Sequence, residues 1–410
     1  MMDHPCLPLE LITIVLKYVT TQRELYQCTL VNSYFFEIAN PKLWRRMSTV
    51  NHPDRPKRLL HSLKWAATHG RKPFPGDHIN SFCISEECPT PLMVTLTAGY
   101  ARSLRELELS YMHLTRDEME AIAIFCPLLS VLIFFECTNT FDVLEPIGEH
   151  GHNLSTFHVY TCPDEMDLSP LKQCEGLRML CLAGCPWLTM DRAGNTLLSL
   201  DQLDELDISQ SPFDDPDRFL EKMIPSEPYQ QSRHLTDDSD DSDDNDNDGI
   251  LPPLGGLTRF GISCDSGTQS NMWFDFLMSR PPHLVTLDIA EESVSDALLS
   301  IMHIHLPNLK SLGLNRCSGF SSRGLREMIK QNPGLDILSM RGSRLPRRCF
   351  PELKGEGVFL DHFISWEELD MIRQNTEFVV HFSDDDLLPS ERETLEYMRS
   401  DEYIFGTALG

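Results

Sequence analysis

A six-residue pattern, apolar-x-x-apolar-x-apolar, returns ten times along this chain at a nearly constant interval, and no other feature restricts its fold as much. It reads INSFCI from Ile79, LRELEL from Leu104, LSVLIF from Leu129, LSTFHV from Leu154 and LRMLCL from Leu177. It continues as LDELDI from Leu203, LTRFGI from Leu257, LVTLDI from Leu284, LKSLGL from Leu309 and LDILSM from Leu335. The steps are 25, 25, 25, 23, 26, 54, 27, 25 and 26 residues. A period of this size means one supersecondary unit per repeat. Each apolar-x-apolar triplet predicts a short strand with alternate side chains on opposite faces. The residues between triplets suffice for one return helix. A single unit cannot bury its apolar row, whereas stacked neighbours can. The expected fold class is therefore α/β: a solenoid over residues 76–345, with a curved parallel sheet and return helices.

The 54-residue step has an internal explanation. FDDPDRFLEKMI (213–224) predicts the return helix of the repeat begun at Leu203. Residues of about 225–252 are then an acidic insertion, expected to be disordered because DDSDDSDDNDND (237–248) has nothing apolar to collapse around. Four repeats carry a cysteine at a fixed distance after the strand: Cys137, Cys162, Cys185 and Cys317. With Leu309, Leu312, Leu314, Phe320, Gly324 and Leu325 around Cys317, this pattern resembles the cysteine-containing leucine-rich repeat. Such cysteines are expected to fill the turn as small apolar groups. Ligands one repeat apart on a ladder do not converge on a metal ion.

The amino-terminal segment obeys a different period. Leu9, Ile12, Leu16 and Val19 form one helical stripe, and Leu11, Val15 and Tyr18 form a second beside it. Leu25, Cys28 and Val31, then Tyr34, Phe35, Ile38, Leu43 and Trp44, predict two more helices. A unit of roughly 40 residues is near the lower limit for independent folding, and apolar stripes on more than one face mark a partner interface. Leu7-Pro8 followed by Leu9-Glu10, the Ile14-Val15-Leu16 core, Leu25, Val31 and Pro41-x-Leu43-Trp44-Arg45 resemble an F-box; Asn32-Ser33-Tyr34 departs from its usual cysteine, basic and tryptophan residues. The whole chain resembles F-box proteins with leucine-rich repeats, of a fungal-like kind. The resemblance implies a small three-helix F-box at 1–48, a linker helix region at 49–75, the repeats at 76–345 and a carboxyl-terminal cap at 346–410. It further implies binding of a Skp-type adaptor, and of a cullin through it, by Leu7, Pro8, Leu9, Ile14 and Leu16, with Leu43 and Trp44 supporting the last helix. The repeats would then capture an unidentified substrate protein.

Composition narrows the partners. A net charge of −27 argues against nucleic acid or an anionic membrane, since both demand basic surface. Residues 1–72 nevertheless hold eleven Lys/Arg against five Asp/Glu, which suits docking onto an acidic protein as well as a solvated basic face. Asp3 and Glu10 interrupt the first ten residues, so no secretory leader is expected. Thirteen cysteines without a C-x-x-C pair fit buried free thiols in the cytoplasm or nucleus.

No cofactor and no catalysis are expected. Asp244-x-Asp246-x-Asp248-Gly249 opens like a calcium loop, but its twelfth position is Gly255. Ser239 and Ser242 lie among aspartates and suit an acidophilic kinase. On the outward strand positions, Ile133, Phe135, His158 and Tyr160 fall together as a candidate substrate surface, unless the carboxyl-terminal segment covers them. Arg316 and Arg341, with Arg344, Arg347 and Arg348, form a second candidate, for an acidic or phosphorylated partner, with a solvated end face or pairing with the protein's own acidic tract as the favoured alternative. Ser365-x-x-Glu368 and Ser390-x-x-Glu393 read as capping boxes within the cap. The expected function is substrate recognition in a Skp–cullin–F-box ubiquitin ligase; the rival is a leucine-rich scaffold unconnected to ubiquitin.

Overall fold

Ten apolar triplets become strands wherever alternate side chains find an apolar neighbour on one side and an open face on the other. A computed structural model describes residues 9–50, 54–70, 74–86, 88, 90–211, 213–224, 253–263, 270–279, 283–290, 293–343, 345–353, 359 and 363–375. The chain divides into two units, Met1–Leu177 and Arg178–Gly410.

In the first unit three helices, α1 (Leu9–Lys17), α2 (Gln22–Thr29) and α3 (Ser33–Arg45), precede strands β1 (Arg46–Ser48), β2 (Ser81–Ser85), β3 (Glu106–Ser110), β4 (Val131–Phe135) and β5 (Thr156–Tyr160). These strands pair in parallel and in chain order. The register stacks the apolar rows: Phe82, Leu107, Leu132 and Phe157 lie opposite one another, as do Ile84, Leu109, Phe134 and Val159, and all are buried. Helices α4 (Arg55–Thr68), α5 (Thr90–Tyr100), α6 (Arg116–Phe125) and α7 (Glu145–His150) return the chain.

The sheet thus begins one strand earlier than the repeat pattern announces. Arg46–Met47–Ser48 is too polar to match the triplet, yet it continues straight from α3 and pairs with Ser81–Cys83. Consequently α4, expected to be a linker, is the return helix of the first repeat.

In the second unit β6 (Met179–Ala183), β7 (Glu205–Ile208), β8 (Arg259–Ser263), β9 (Thr286–Ala290), β10 (Ser311–Asn315) and β11 (Ile337–Ser339) are likewise parallel and sequential. Leu180, Leu206, Phe260, Leu287, Leu312 and Leu338 form one continuous register row. Leu206 pairs with Phe260 across the long step, so the intervening residues leave the ladder undisturbed. The expected helix appears as α9 (Pro216–Met223), with the Asp215 side chain accepting from the Arg218 amide at its start. The acidic tract itself lies outside the described residues. Helices α10 (Ser270–Ser279), α11 (Asp296–His305) and α12 (Ser322–Gln331) return the chain in the later repeats. Not every return is an α-helix: Ser169–Gln173, in the first unit, is a 3-10 turn, and Met190–Gly194 is a π-helical turn followed by the three-residue α8 (Asn195–Leu197).

A left-handed residue ends the strand in seven repeats: Tyr111, Glu136, Thr161, Gly184, Gln210, Arg316 and Gly342, with φ between 49° and 104°. That turn aims the next residue inward. Cys137 and Cys317 then donate from Sγ to the carbonyls of Leu109 (3.1 Å) and Ile289 (3.2 Å) in the preceding repeat. Ser211 stands at the equivalent place in its repeat and donates to the Leu182 carbonyl at 2.7 Å. The cysteines therefore add a polar stitch between repeats to the packing role expected of them.

Beyond β11 the period is lost. Strand β12 (Phe363–Ile364) pairs antiparallel to β11, and α13 (Trp366–Gln374) opens on the Ser365–Glu368 capping box. Arg373 donates to the carbonyls of Ile329, Asn332 and Leu335, which fastens α13 to the last repeat. Nearby, Arg326 holds Glu352 at 2.8 Å with both side chains below 10% exposed, and its guanidinium lies over the Phe350 ring. The second expected box, at Ser390, lies outside the described residues.

Two stability changes follow. Thr161 is β-branched at φ 52°, so Thr161→Gly is expected to stabilise the fold by about 1 kcal/mol through relief of left-handed strain. Arg326→Ala strands a buried carboxylate and is expected to cost about 3–5 kcal/mol. Urea unfolding of the full chain measures both.

Candidate protein-interaction surface

The first three helices fold around a small core of Ile12, Leu16, Leu25 and Ala39, against which Val19, Cys28, Tyr34, Phe35, Ile38 and Leu43 pack. Local signals set each helix. The Thr21 hydroxyl caps α2 by accepting from the Glu24 amide, and Asn32 Oδ1 caps α3 by accepting from the Phe35 amide at 2.9 Å. Asn32-Ser33, which breaks the F-box pattern in sequence, is thus the start of a helix. Lys42 Nζ donates to the Leu16 carbonyl at 2.6 Å and ties α3 to the end of α1. Trp44 Nε1 donates to Asn40 Oδ1. Gln22 Nε2 reaches the Arg46 carbonyl, joining the helices to the strand that opens the sheet.

This core satisfies only one side of the helices. Leu11, Ile14 and Val15 are exposed on α1, and Tyr18, just past its end, is 82% exposed. They sit at i, i+3, i+4 and i+7, a continuous helical stripe. Tyr26, Leu30 and Val31 are also exposed, each by more than half. Lys17 and Arg23 lie exposed among them. Large apolar side chains gathered on one helical face describe a protein-docking surface.

Of the seven residues implied by the resemblance, the four with described side chains divide into two groups. Ile14 is exposed and lies on this stripe, whereas Leu16 is 1% exposed and serves the internal core. Leu43 packs on that core, and Trp44 is half-buried. Leu9 is the first residue of α1, and Leu7 and Pro8 lie outside the described residues. Leu11, Val15 and Tyr18, seen in sequence as a second stripe, prove to be the outward one. Tyr26 and Leu30 escaped notice because the α2 pattern pointed to Leu25 and Cys28. Tyr26 lies on the exposed side of α2 and Leu30 is its C-cap, so the spacing of Leu25 and Cys28 reports on neither.

On the repeats, β4 and β5 bring Ile133 opposite His158 and Phe135 opposite Tyr160. All four are half-buried on the face opposite the apolar rows. Phe135 and Tyr160 have ring centroids 6.4 Å apart, and the Tyr160 hydroxyl meets His158 Nδ1 at 3.2 Å. Tyr111, in the turn after β3, adds an edge-to-face contact with Phe135 at 5.4 Å. At the far end, the Arg341 guanidinium lies 4.8 Å from the Phe363 ring centroid, against the cap. Arg316 is exposed, and Arg344 lies outside the described residues.

The thiols suit packing better than chemistry. All eleven described cysteines are free, and nine are buried. Burial pushes Cys126 up to about 12 and Cys174 up to about 11, far from a reactive thiolate. No described helix is long and apolar enough to cross a membrane.

In comparison with known proteins, residues 4–49 match the model of the F-box-like family. No curated protein matches the chain in sequence. Among solved structures, the internalin inlF of Listeria monocytogenes aligns at 14% identity and TM-score 0.39, covering 90% of this chain and 93% of that one. A TLR13–ssRNA13 complex aligns at 17% identity and TM-score 0.39, covering 64% of this chain and 36% of that one.

The two faces of α1 make opposite predictions. Leu16→Ala is expected to destabilise the helical segment by about 2–5 kcal/mol, whereas Val15→Ala, at an exposed position, changes stability by no more than about 0.5 kcal/mol. Limited proteolysis of residues 9–45 in the full chain tells them apart.

Proposed function

We propose that this chain, an F-box-like leucine-rich-repeat protein, is the substrate-recognition subunit of a Skp–cullin–F-box ubiquitin ligase. F-box domains generally bind Skp-type adaptors, and F-box and leucine-rich-repeat scaffolds are generally non-catalytic. The observation that carries the reading is the apolar stripe Leu11, Ile14, Val15 and Tyr18, left uncovered on a segment that matches the F-box-like family. Leu7, Pro8 and Leu9, which the F-box resemblance assigns to the adaptor, contribute to its binding in this reading. Leu16 and Leu43 hold the helices from within, and Trp44 buttresses α3. The cullin joins through the adaptor. The repeats hold a target protein, and ubiquitin transfer is accelerated by proximity to a conjugating enzyme supplied by other subunits. Free thiols throughout the described residues suit a cytoplasmic or nuclear setting.

Copurification of a Skp-type adaptor with the full chain is the test. Val15→Asp combined with Tyr18→Asp is expected to abolish it while the repeats keep their thermal transition, and Pro8→Ala with Leu9→Ala is expected to do the same. Undiminished copurification by both double variants would leave a scaffold unconnected to ubiquitin as the better account.

A further inference from the structure

The outward face of β2–β5 has a composition that singles out its partner. Twelve side chains occupy it, three from each strand, and the register sets them in rows. One row runs Ser81, Glu106, Val131, Thr156; the next Cys83, Glu108, Ile133, His158; the third Ser85, Ser110, Phe135, Tyr160. Apolar and aromatic groups take five of the six positions on β4–β5, carboxylates take two of the three on β3, and no lysine or arginine occurs among the twelve. Glu136, exposed in the turn after β4, adds a third carboxylate beside Phe135. Among the described residues, Glu106, Glu108 and Glu136 form no ion pair with a cation of the protein. The field they produce is felt locally. The Cys83 thiol is pushed up to about 12, by burial first and then by the charge of Glu108.

We infer that this face binds an extended peptide segment carrying arginine within two or three residues of a large apolar side chain. The inference deepens the receptor reading by naming the chemistry of its target, and rests on that reading for its purpose. Three arguments favour arginine. Carboxylates without an ion-pair partner, Glu108 receiving only the Ser110 hydroxyl and the Cys83 thiol, lie beside aromatic faces and meet both needs of a guanidinium, which donates two hydrogen bonds to a carboxylate and stacks on rings. An anionic, phosphorylated or nucleic-acid partner is repelled by the same carboxylates. The spacing also fits: adjacent strands lie about 4.8 Å apart, and side chains on one side of an extended peptide recur about every 6.8 Å. An apolar side chain over Ile133 and Phe135 therefore places a neighbouring arginine at Glu108 on one side or at Tyr160 on the other.

The test uses the full chain and a fluorescein-labelled peptide, GGRGLGRGG, read by fluorescence polarisation. Two companion peptides replace both arginines by lysine or by neutral, isosteric citrulline. The arginine peptide is expected to bind, the lysine peptide more weakly, and the citrulline peptide not at all. Phe135→Ala with Tyr160→Ala is expected to weaken binding about tenfold or more, and the isosteric Glu108→Gln several-fold. Each variant keeps its thermal transition and its copurified adaptor. Binding that survives the citrulline replacement, that is unchanged in both variants, or that disappears only when residues 237–248 are deleted would overturn the proposal, as would no binding by any of the three peptides. Loss of adaptor binding with intact peptide binding would instead refute the receptor reading alone.

Discussion

No repeat in this chain covers its own apolar row; each row is sealed only by the neighbour on either side. Everything regular in the two units follows from that dependence. The strands must be parallel and in register, because a shift of one residue would turn Leu107, Leu132 and Phe157 from the packed face to the open one. The chain must leave each strand in the same way, which is why a left-handed residue recurs after seven of them. The thiols of Cys137 and Cys317 and the hydroxyl of Ser211 use that turn to reach a carbonyl one repeat back. At the end of the ladder the dependence has no further neighbour to satisfy it. There the period gives way to an antiparallel strand, a capped helix and the Arg326–Glu352 pair.

The amino-terminal helices present the opposite situation. Their core of four residues is too small to absorb the apolar side chains that α1 and α2 carry, and the surplus faces outward as Leu11, Ile14, Val15 and Tyr18. Self-sufficiency in the repeats and insufficiency in the helices divide the labour. One part keeps its shape by internal stacking and can present variable side chains on its open face. The other gains its full burial only against another protein. The twelve outward positions of β2–β5 show how variable that open face is, since the register constrains which residues meet but not their chemistry.

Much of this was legible in the sequence because its cause is periodic. The ten triplets located ten strands, and the cysteines located four of the turns. Where physics departs from the period, the sequence was less informative. Strand β1 has the polar residues Arg46 and Ser48 in place of leucines, so only its neighbour Ser81–Cys83 reveals it. The 3-10 return carries Pro170 and lies in the 23-residue step, whereas the π-helical return lies in an ordinary step of 26 residues and holds no proline, and nothing in a strand pattern reports on either. In α1 both stripes are apolar, and helical spacing alone does not say which one faces inward. Leu16 was expected at the interface and lies in the core, because Lys42 and the packing of α3 settle the rotation of α1. The Phe135–Tyr160 pairing followed directly from the repeat spacing, whereas the contribution of Tyr111 depended on a turn conformation that no spacing encodes.

Hydrogen–deuterium exchange of the full chain, with and without a purified Skp-type adaptor, tests the central claim most directly. Exchange is expected to slow over Leu9–Lys17 and Gln22–Thr29 when the adaptor is added, while the strands from Ser81 to Ser339 keep the protection they already have. Helices that are equally protected in the free chain, or an adaptor footprint that falls on the strands, would contradict the account.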